Sequence, residues 1–196
     1  MIKTIFSGGF DDNFSYLICN KEDNVTAIVD PCGDVMKLLP DDVDDIRYIL
    51  LTHGHDDHFD QLDKVLEKFP SAQLVCHREH PRANGRGFSD GDLIDFGKSR
   101  IEIISTPGHS RDSLTFLYRP DLALFTGDTL FIGCIGFCRS RKTMADSLLK
   151  LRELPEELIV YSGHNYGDVP HRKLGEEKLF NPEFSTDFIR KLASGK

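Results

Sequence analysis

Short apolar runs alternate with glycine, proline and aspartate along the whole chain, which is the pattern of brief strands separated by tight turns. The runs that we predict to be strands cover residues 2–6, 15–19, 26–29, 47–52, 73–76, 101–105, 114–118, 122–126 and 158–161. A turn or a hairpin is predicted over residues 90–97. The run at 47–52 is strongly apolar, as expected of a buried strand.

Helical spacing of apolar residues appears between these runs. Residues 61–69 are predicted to form a helix because their apolar side chains share one face and a proline follows them. Further helices are predicted over 143–154, 170–179 and 187–192. Because the chain shows no internal repeat or linker, we expect residues 1–196 to form a single α/β domain, in which two packed sheets are flanked by helices.

The charge balance narrows the range of partners. The chain has 196 residues and a net charge of −8, with 39% hydrophobic and 29% charged residues, the composition of an ordinary globular protein. An acidic surface disfavours both nucleic acid and an anionic membrane as partners. The N-terminus does not resemble a signal peptide, and no apolar run is long enough to cross a bilayer. We therefore expect a cytoplasmic protein with a small-molecule substrate.

The five cysteines do not suggest a disulfide framework. Their number is odd, and the expected compartment is reducing, so each is predicted to be a reduced and mostly buried thiol. Cys134 and Cys138 are partial exceptions because they lie in a glycine-rich loop close to the site described next.

Candidate metal ligands are concentrated directly after the strand predicted at 47–52. His53 and His55 can point to the same side of a turn, and Asp57 and His58 are expected to begin the next helix. Clustered imidazoles repel one another when protonated, whereas a metal ion binds them in the neutral form. This density of imidazoles and carboxylates therefore predicts a metal site.

Three further loops carry one candidate ligand each, again after predicted strands. These are His109 in a Pro-Gly turn, Asp128 at the end of an apolar strand, and His164 after the last strand. A histidine alone in such a loop is more often an ordinary polar residue, but the group together predicts metal binding. The remaining histidines, His77, His80 and His171, are expected to be ordinary exposed residues.

The spacing His53-x-His55-x-Asp57-His58, followed in order by His109, Asp128 and His164, resembles the signature of the metallo-β-lactamase superfamily. The resemblance implies a four-layer αβ/βα sandwich of two mixed β-sheets, with metals at one edge. It further implies the ligand sets, which are His53, His55 and His109 for the first metal, Asp57, His58 and His164 for the second, and Asp128 as the bridge.

The same resemblance suggests a supporting aspartate and a metal type. Asp30 follows a predicted strand and is similar to the family's aspartate that orients a ligating imidazole, although a plain turn residue before Pro31 is an equal alternative. Nitrogen and carboxylate ligands without thiolate suit zinc, iron or manganese. We expect two divalent ions, with zinc first and iron or manganese as alternatives.

Within the superfamily the chain is most similar to the glyoxalase II group, the hydroxyacylglutathione hydrolases. The similarity lies in residues 127–131, 133–134, 151–155 and 163–166. It implies hydrolysis of a thioester, S-2-hydroxyacylglutathione or a related compound, by a metal-bridging hydroxide that Asp57 and Asp128 orient.

The resemblance also suggests substrate contacts. Tyr166 is implied as a contact to the glutathione part, and Arg139 is a candidate for the basic residue of the following loop, where a solvated loop is an equal alternative. Because about thirty residues follow Tyr166, we do not expect the helical C-terminal domain that completes the glutathione site of full-length glyoxalase II enzymes.

Three alternatives remain open within this fold. The first is a persulfide dioxygenase, which uses a single iron at the first site; its Gly-Cys-Gly-Arg-Thr-Asp pattern is absent after Asp128. The second is a lactonase or another ester hydrolase. A β-lactamase is less favoured, because Asp128 lies where β-lactamases commonly have a cysteine or another ligand. Outside enzymes, a di-iron electron-transfer unit is a further alternative; family members of that kind usually add a flavin-binding domain, which we do not expect here.

Overall fold

The computed structural model describes residues 1–83 and 87–195. Within them the chain alternates between short strands and helices, most of them close to the predicted positions. The strands are β1 (Ile2–Gly8), β2 (Asn13–Asn20), β3 (Val25–Val29), β4 (Tyr48–Leu50), β5 (Gln73–Val75), β6 (Leu93–Phe96), β7 (Ser99–Ser105), β8 (Leu114–Tyr118), β9 (Ala123–Gly127), β10 (Ile159–Ser162) and β11 (His171–Lys173). The helices are α1 (Val35–Leu38), α2 (Leu62–Lys68), α3 (Arg141–Arg152), α4 (Leu174–Phe180) and α5 (Thr186–Ser194).

The strands form two mixed sheets. The first has the order β1-β2-β3-β4-β5, in which β1, β2 and β3 pair antiparallel and β3, β4 and β5 pair parallel. The second has the order β11-β10-β9-β8-β7-β6, in which only the β9–β10 pair is parallel. Parallel neighbours end at the same edge of a sheet, so the loops that follow β9 and β10 lie side by side.

Successive side chains of β2 alternate between two apolar clusters, and this alternation shows how the sheets are layered. Tyr16 and Ile18 belong to the apolar cluster between the two sheets, together with Phe116 and Phe125 of the second sheet. Side chains of successive strand residues point to opposite faces. Leu17 accordingly belongs to a different cluster, on the outer face of the first sheet.

Each sheet is covered by helices on its outer face. Apolar side chains of α1 and α2, such as Val35 and Leu62, pack on the first sheet. Those of α3, α4 and α5, such as Leu148 and Ile189, pack on the second. The order of layers is therefore helix, sheet, sheet, helix, which confirms the predicted four-layer αβ/βα sandwich.

Two local predictions were wrong. Residues 170–179 do not form one helix: β11 pairs antiparallel with β10 before α4 begins at Leu174. Asp57 and His58 do not begin a helix either, because they lie in a short 3-10 turn, Asp56–His58, and α2 starts only at Leu62. None of the helices in residues 1–83 and 87–195 combines the length and apolarity needed to span a bilayer.

Candidate metal centre

Four loops bring the predicted ligands to one edge of the sandwich. The loop after β4 carries His53, His55 and the 3-10 turn, and the loop between β7 and β8 carries His109. Asp128 directly follows β9, and His164 follows β10 by two residues. Because β4 belongs to the first sheet and the other strands to the second, the site lies where the two sheets meet.

The first cluster consists of three imidazoles and a carboxylate. Nδ1 of His55 lies 2.9 Å from Nε2 of His53 and 2.9 Å from Nε2 of His109. Oδ2 of Asp128 is 3.4 Å from Nε2 of His109. One ligand atom from each of these residues lies within 4.8 Å of all the others. All except His55 are buried.

The second cluster lies on the other side of Asp128. Nε2 of His58 is 3.2 Å from Nε2 of His164, and Oδ2 of Asp57 is 3.6 Å from each of them. Both histidines are buried, whereas Asp57 is partly exposed. The ligand atoms of these three residues also lie within 4.8 Å of one another.

Asp128 contacts both clusters. Its Oδ1 is 3.4 Å from Nε2 of His58, and its Oδ2 is 3.3 Å from Nε2 of His164 as well as close to His109. The carboxylate is 7% exposed, yet Oδ1 has no hydrogen-bond partner among the described residues. A buried carboxylate oxygen without a donor is costly, and a cation would satisfy it.

Hydrogen bonds behind the clusters fix the orientation of the imidazoles. Nδ1 of His58 donates to Oδ2 of Asp30 at 2.9 Å, Nδ1 of His109 donates to the carbonyl of Phe137 at 3.0 Å, and Nδ1 of His164 donates to the carbonyl of Asp11 at 2.6 Å. Each bond places the ring proton on Nδ1 and leaves the lone pair of Nε2 directed into the cluster.

Asp30 connects this outer layer to the loop after β4. Its carboxylate accepts hydrogen bonds from the backbone N–H of Thr52 at 2.8 Å and from the Thr52 hydroxyl at 2.6 Å. The Thr52 oxygen can then accept the Nδ1 proton of His53, which is 3.1 Å away. One buried carboxylate thus orients His58 directly and His53 through Thr52, which favours the supporting role over a plain turn residue.

Burial and the carboxylate of Asp128 shift the pKa values of the clustered imidazoles in opposite directions. Burial lowers the pKa of His53 well below its usual value, and burial also lowers the pKa of His109. Burial acts in the same direction on His58 and His164, but the carboxylate of Asp128 outweighs it and raises the pKa of both. The buried carboxylate of Asp128 thus favours positive charge beside it, and divalent cations would supply that charge.

The donor set therefore fits two divalent cations. Six side chains present neutral nitrogen or carboxylate oxygen, and one carboxylate lies between the two groups. His53, His55, His109 and Asp128 could hold one ion, and Asp57, His58 and His164 with Asp128 could hold the second. Such a pair of sites suits hydrolysis at a carbonyl.

The two predicted substrate contacts lie at opposite ends of the centre. The Tyr166 ring stacks on His164, with ring centroids 4.9 Å apart, and its hydroxyl donates to Asp11. Burial raises the pKa of Tyr166 and the Asp11 carboxylate raises it further, so the hydroxyl keeps its proton. Arg139 is exposed and lines a cavity that reaches His55.

Sequence reasoning missed two polar residues of the site. His80 was expected to be exposed, but it is 3% exposed, and its Nε2 lies 3.3 Å from the carbonyl oxygen of His53. That expectation was wrong because the segment after β5 folds back beneath the loop after β4. Asn13 donates from Nδ2 to Oδ2 of Asp57 at 3.0 Å, and no spacing in the sequence connects these two residues.

The cysteines and the other histidines remain outside the clusters. All five cysteines are free; Cys19, Cys32 and Cys76 are buried, and Cys134 and Cys138 are half-buried. His77 is half-buried and His171 is exposed.

Comparisons with known proteins agree with this geometry. Residues 8–164 match the family model of the metallo-β-lactamase superfamily. A protein named hydroxyacylglutathione hydrolase from Rhodopseudomonas palustris (strain BisA53) is 35% identical over 163 residues, which cover 80% of this chain and 64% of the relative. The chain thus spans just under two thirds of the length of that curated relative.

Solved structures give the same result for the fold. The crystal structure of BLEG-1 B3 metallo-β-lactamase superposes with a TM-score of 0.80 at 29% identity, covering 94% of this chain and 100% of that one. The crystal structure of ETHE1 from Myxococcus xanthus superposes with a TM-score of 0.81 at 26% identity, covering 98% of this chain and 89% of that one.

Proposed function

The chain belongs to the metallo-β-lactamase superfamily, and from its metal centre we propose that it is a metal-dependent hydrolase of the glyoxalase II-like group. The proposed reaction is hydrolysis of a thioester, S-2-hydroxyacylglutathione or a related compound. Curated relatives that bear the name hydroxyacylglutathione hydrolase support this choice, at 35% identity and below.

The position of Asp128 carries the proposal. Its two carboxylate oxygens lie within 3.4 Å of His58, His109 and His164, so it adjoins both clusters at once. This arrangement suits a pair of ions that share one carboxylate, the arrangement used by many two-metal hydrolases. Bound there, two divalent cations would supply Lewis acidity toward a carbonyl oxygen and would lower the pKa of a water molecule.

The chain's own residues would position the reactants. Asp57 and Asp128 would orient the attacking water through their carboxylates. The amide of Asn13 donates to Oδ2 of Asp57 at 3.0 Å and so fixes the direction in which its remaining lone pairs point. Phe131, which is buried with its ring 5.7 Å from that of His164, would shield the second cluster from bulk water.

A single experiment separates the hydrolase from the iron-dependent alternative. Metal content is measured on the purified protein, and the same sample is assayed for hydrolysis of S-lactoylglutathione and for oxygen uptake with glutathione persulfide. We expect two metal ions per chain and hydrolysis. One iron per chain with oxygen uptake and no hydrolysis would overturn the proposal in favour of a persulfide dioxygenase.

Two variants make the assignment specific. His55→Ala removes a ligand of the first cluster and should abolish hydrolysis. His171→Ala removes an exposed histidine on β11, outside both clusters, and should retain full activity. Equal activity of both variants would show that the observed hydrolysis does not arise at this centre.

A further inference from the structure

The loop between β9 and α3 contacts both clusters through residues 131–137. The ring of Phe131 packs edge-on against the ring of His164, with centroids 5.7 Å apart. The carbonyl oxygen of Phe137 accepts the hydrogen bond from Nδ1 of His109 at 3.0 Å. The position of this loop therefore bears on one proposed ligand of each cluster.

Side chains of α4 and of the turn after it hold the backbone of the 131–137 loop. Glu177, on α4, accepts a hydrogen bond from the N–H of Gly133 through Oε2 at 2.9 Å. Glu183, in the 3-10 turn after α4, accepts one from the N–H of Ile135 at 2.9 Å. The φ of Gly133 is 84°, a backbone region that favours glycine. Two glutamate side chains thus hold the loop at a tight turn.

Asn181 links these two glutamates to each other and to the loop. It lies at the end of α4 and is 2% exposed. Its Nδ2 donates to the carbonyl oxygen of Cys134 at 3.1 Å and to Oε2 of Glu177 at 2.9 Å. Its Oδ1 accepts hydrogen bonds from the backbone N–H groups of Glu183 and Phe184, which fixes the turn that carries Glu183. We call Glu177, Asn181 and Glu183 the α4 anchor.

A buried salt bridge connects the α4 anchor to the strand that precedes His164. Glu177 is fully buried, and its Oε1 accepts a hydrogen bond from the guanidinium of Arg172 at 3.1 Å. Arg172 lies on β11, opposite Val160 of β10. Apolar side chains of similar size often stabilise a core as well as a buried ion pair does. A positional role explains this salt bridge better than stability does, because it joins the loop after β9 to the strand that leads to the second cluster.

We propose that the α4 anchor positions the metal centre, because it holds the 131–137 loop where the Phe137 carbonyl orients His109 and the Phe131 ring shields the second cluster. The anchor side chains act through the loop backbone. The inference rests on the proposed function, since it assigns positioning residues to the same site. Loss of the anchor should therefore change both metal binding and turnover.

Cobalt(II) is a suitable probe, because its d–d absorption depends on coordination geometry. Glu183→Ala removes the acceptor of the Ile135 N–H. We expect it to change the d–d spectrum and to lower the affinity for Co²⁺ about 10-fold. Glu183→Gln retains an oxygen that can accept this hydrogen bond and should restore both properties. Glu177→Gln should have the effect of Glu183→Ala, because one amide oxygen cannot replace both oxygens of Glu177.

Two control variants separate positioning from general stability. Glu176→Gln makes the same change at the neighbouring glutamate of α4, which is exposed, and should alter neither cobalt binding nor turnover. Ile189→Val shortens a buried side chain of α5 that packs on the second sheet, and should lower the melting temperature without a spectral change. A spectral change in Ile189→Val as large as that in Glu177→Gln would overturn the inference.

Kinetics with S-lactoylglutathione separate the anchor from the proposed function. In Glu183→Ala, kcat should fall about 10-fold while KM changes less than about 2-fold. Altered cobalt binding in the anchor variants of a protein that hydrolyses no thioester would keep the anchor and refute the hydrolase. Hydrolysis by the wild type, with wild-type cobalt binding and kcat in Glu177→Gln and Glu183→Ala, would overturn the anchor. If Glu177→Gln does not fold, equal cobalt binding by Glu183→Ala and Glu183→Gln would overturn it.

Discussion

Nε2 of His80 lies 3.3 Å from the carbonyl oxygen of His53, and both residues are buried. Nδ1 of His80 accepts a hydrogen bond from the backbone N–H of Arg82 at 3.0 Å. The ring proton must therefore lie on Nε2, which donates to the carbonyl oxygen of His53. Burial lowers the pKa of His80, which keeps the ring neutral. A histidine that belongs to neither cluster thus supports the backbone that presents His53 and His55.

We expect His80→Leu to weaken metal binding at the first cluster. The variant leaves the buried His53 carbonyl without its donor, which costs about 1–3 kcal/mol, and the loop that presents two ligands loses its support. His80→Gln retains an amide donor at a similar position and should restore most of the affinity. Metal titration with a chromophoric chelator measures the effect, and equal affinities of the two variants would rule out this positioning role.

Asp30→Asn should lower the affinity for the second ion about 10- to 100-fold. Asp30 uses both carboxylate oxygens to accept hydrogen bonds from Thr52 and His58. The asparagine amide has only one acceptor oxygen and cannot accept all of these hydrogen bonds. Asp30 has φ of 46°, and asparagine tolerates this backbone region, so the variant tests the charge without strain. The exposed Asp34→Asn is the matched control. Metal stoichiometry and affinity unchanged from wild type would contradict the role of Asp30.

Removal of single ligands should distinguish the two clusters by metal stoichiometry. His55→Ala leaves Asp57, His58, His164 and Asp128 intact and should retain one ion per chain, whereas Asp128→Ala should retain none, since its carboxylate contacts both clusters. Relative to the wild type at saturating metal, the same protein after chelation of both ions should have a free energy of unfolding lower by about 3 kcal/mol. Elemental analysis and thermal unfolding are the measurements, and one ion retained by Asp128→Ala would refute the bridge.

Gly163→Ala should damage the second cluster. A methyl group there would lie 2.3 Å from Oδ1 of Asp128 and 2.7 Å from Cε1 of His58, closer than nonbonded atoms approach. The backbone at Gly163 does not have a positive φ, so the effect arises from space alone. Overpacking of this kind costs about 1–3 kcal/mol. A variant with wild-type thermal stability and two bound ions would show that the neighbouring side chains can move aside.

Tyr166 should contribute through its ring more than through its hydroxyl. The hydroxyl already donates to Asp11, while the ring stacks on His164 at an interplanar angle of 8°. Tyr166→Phe should therefore change KM for S-lactoylglutathione less than about 2-fold, and Tyr166→Ala should raise it about 10-fold through lost contact area. Steady-state kinetics measure both, and a large increase in KM for Tyr166→Phe would instead assign a substrate contact to the hydroxyl.

Much of the fold followed from local patterns. The strand predicted at 114–118 is β8 with the same bounds, and most other strands differ from their predictions by one or two residues. The segment 170–179 failed because β11 exists only through its pairing with the edge of β10, and the sequence His171–Lys173 has no strand pattern of its own. Long-range pairing outweighed the local helical spacing there.

The candidate ligand residues were predicted from the sequence alone, because imidazoles and carboxylates that follow apolar strands at a characteristic spacing have few structural explanations. Their grouping into two clusters around Asp128 was decided by the tertiary structure, because it depends on where four loops from two sheets meet. The same holds for the buried position of His80 and for the contact between Asn13 and Asp57. These features join residues far apart in the chain, so no local spacing encodes them, and only the packing of the sheets brings them together.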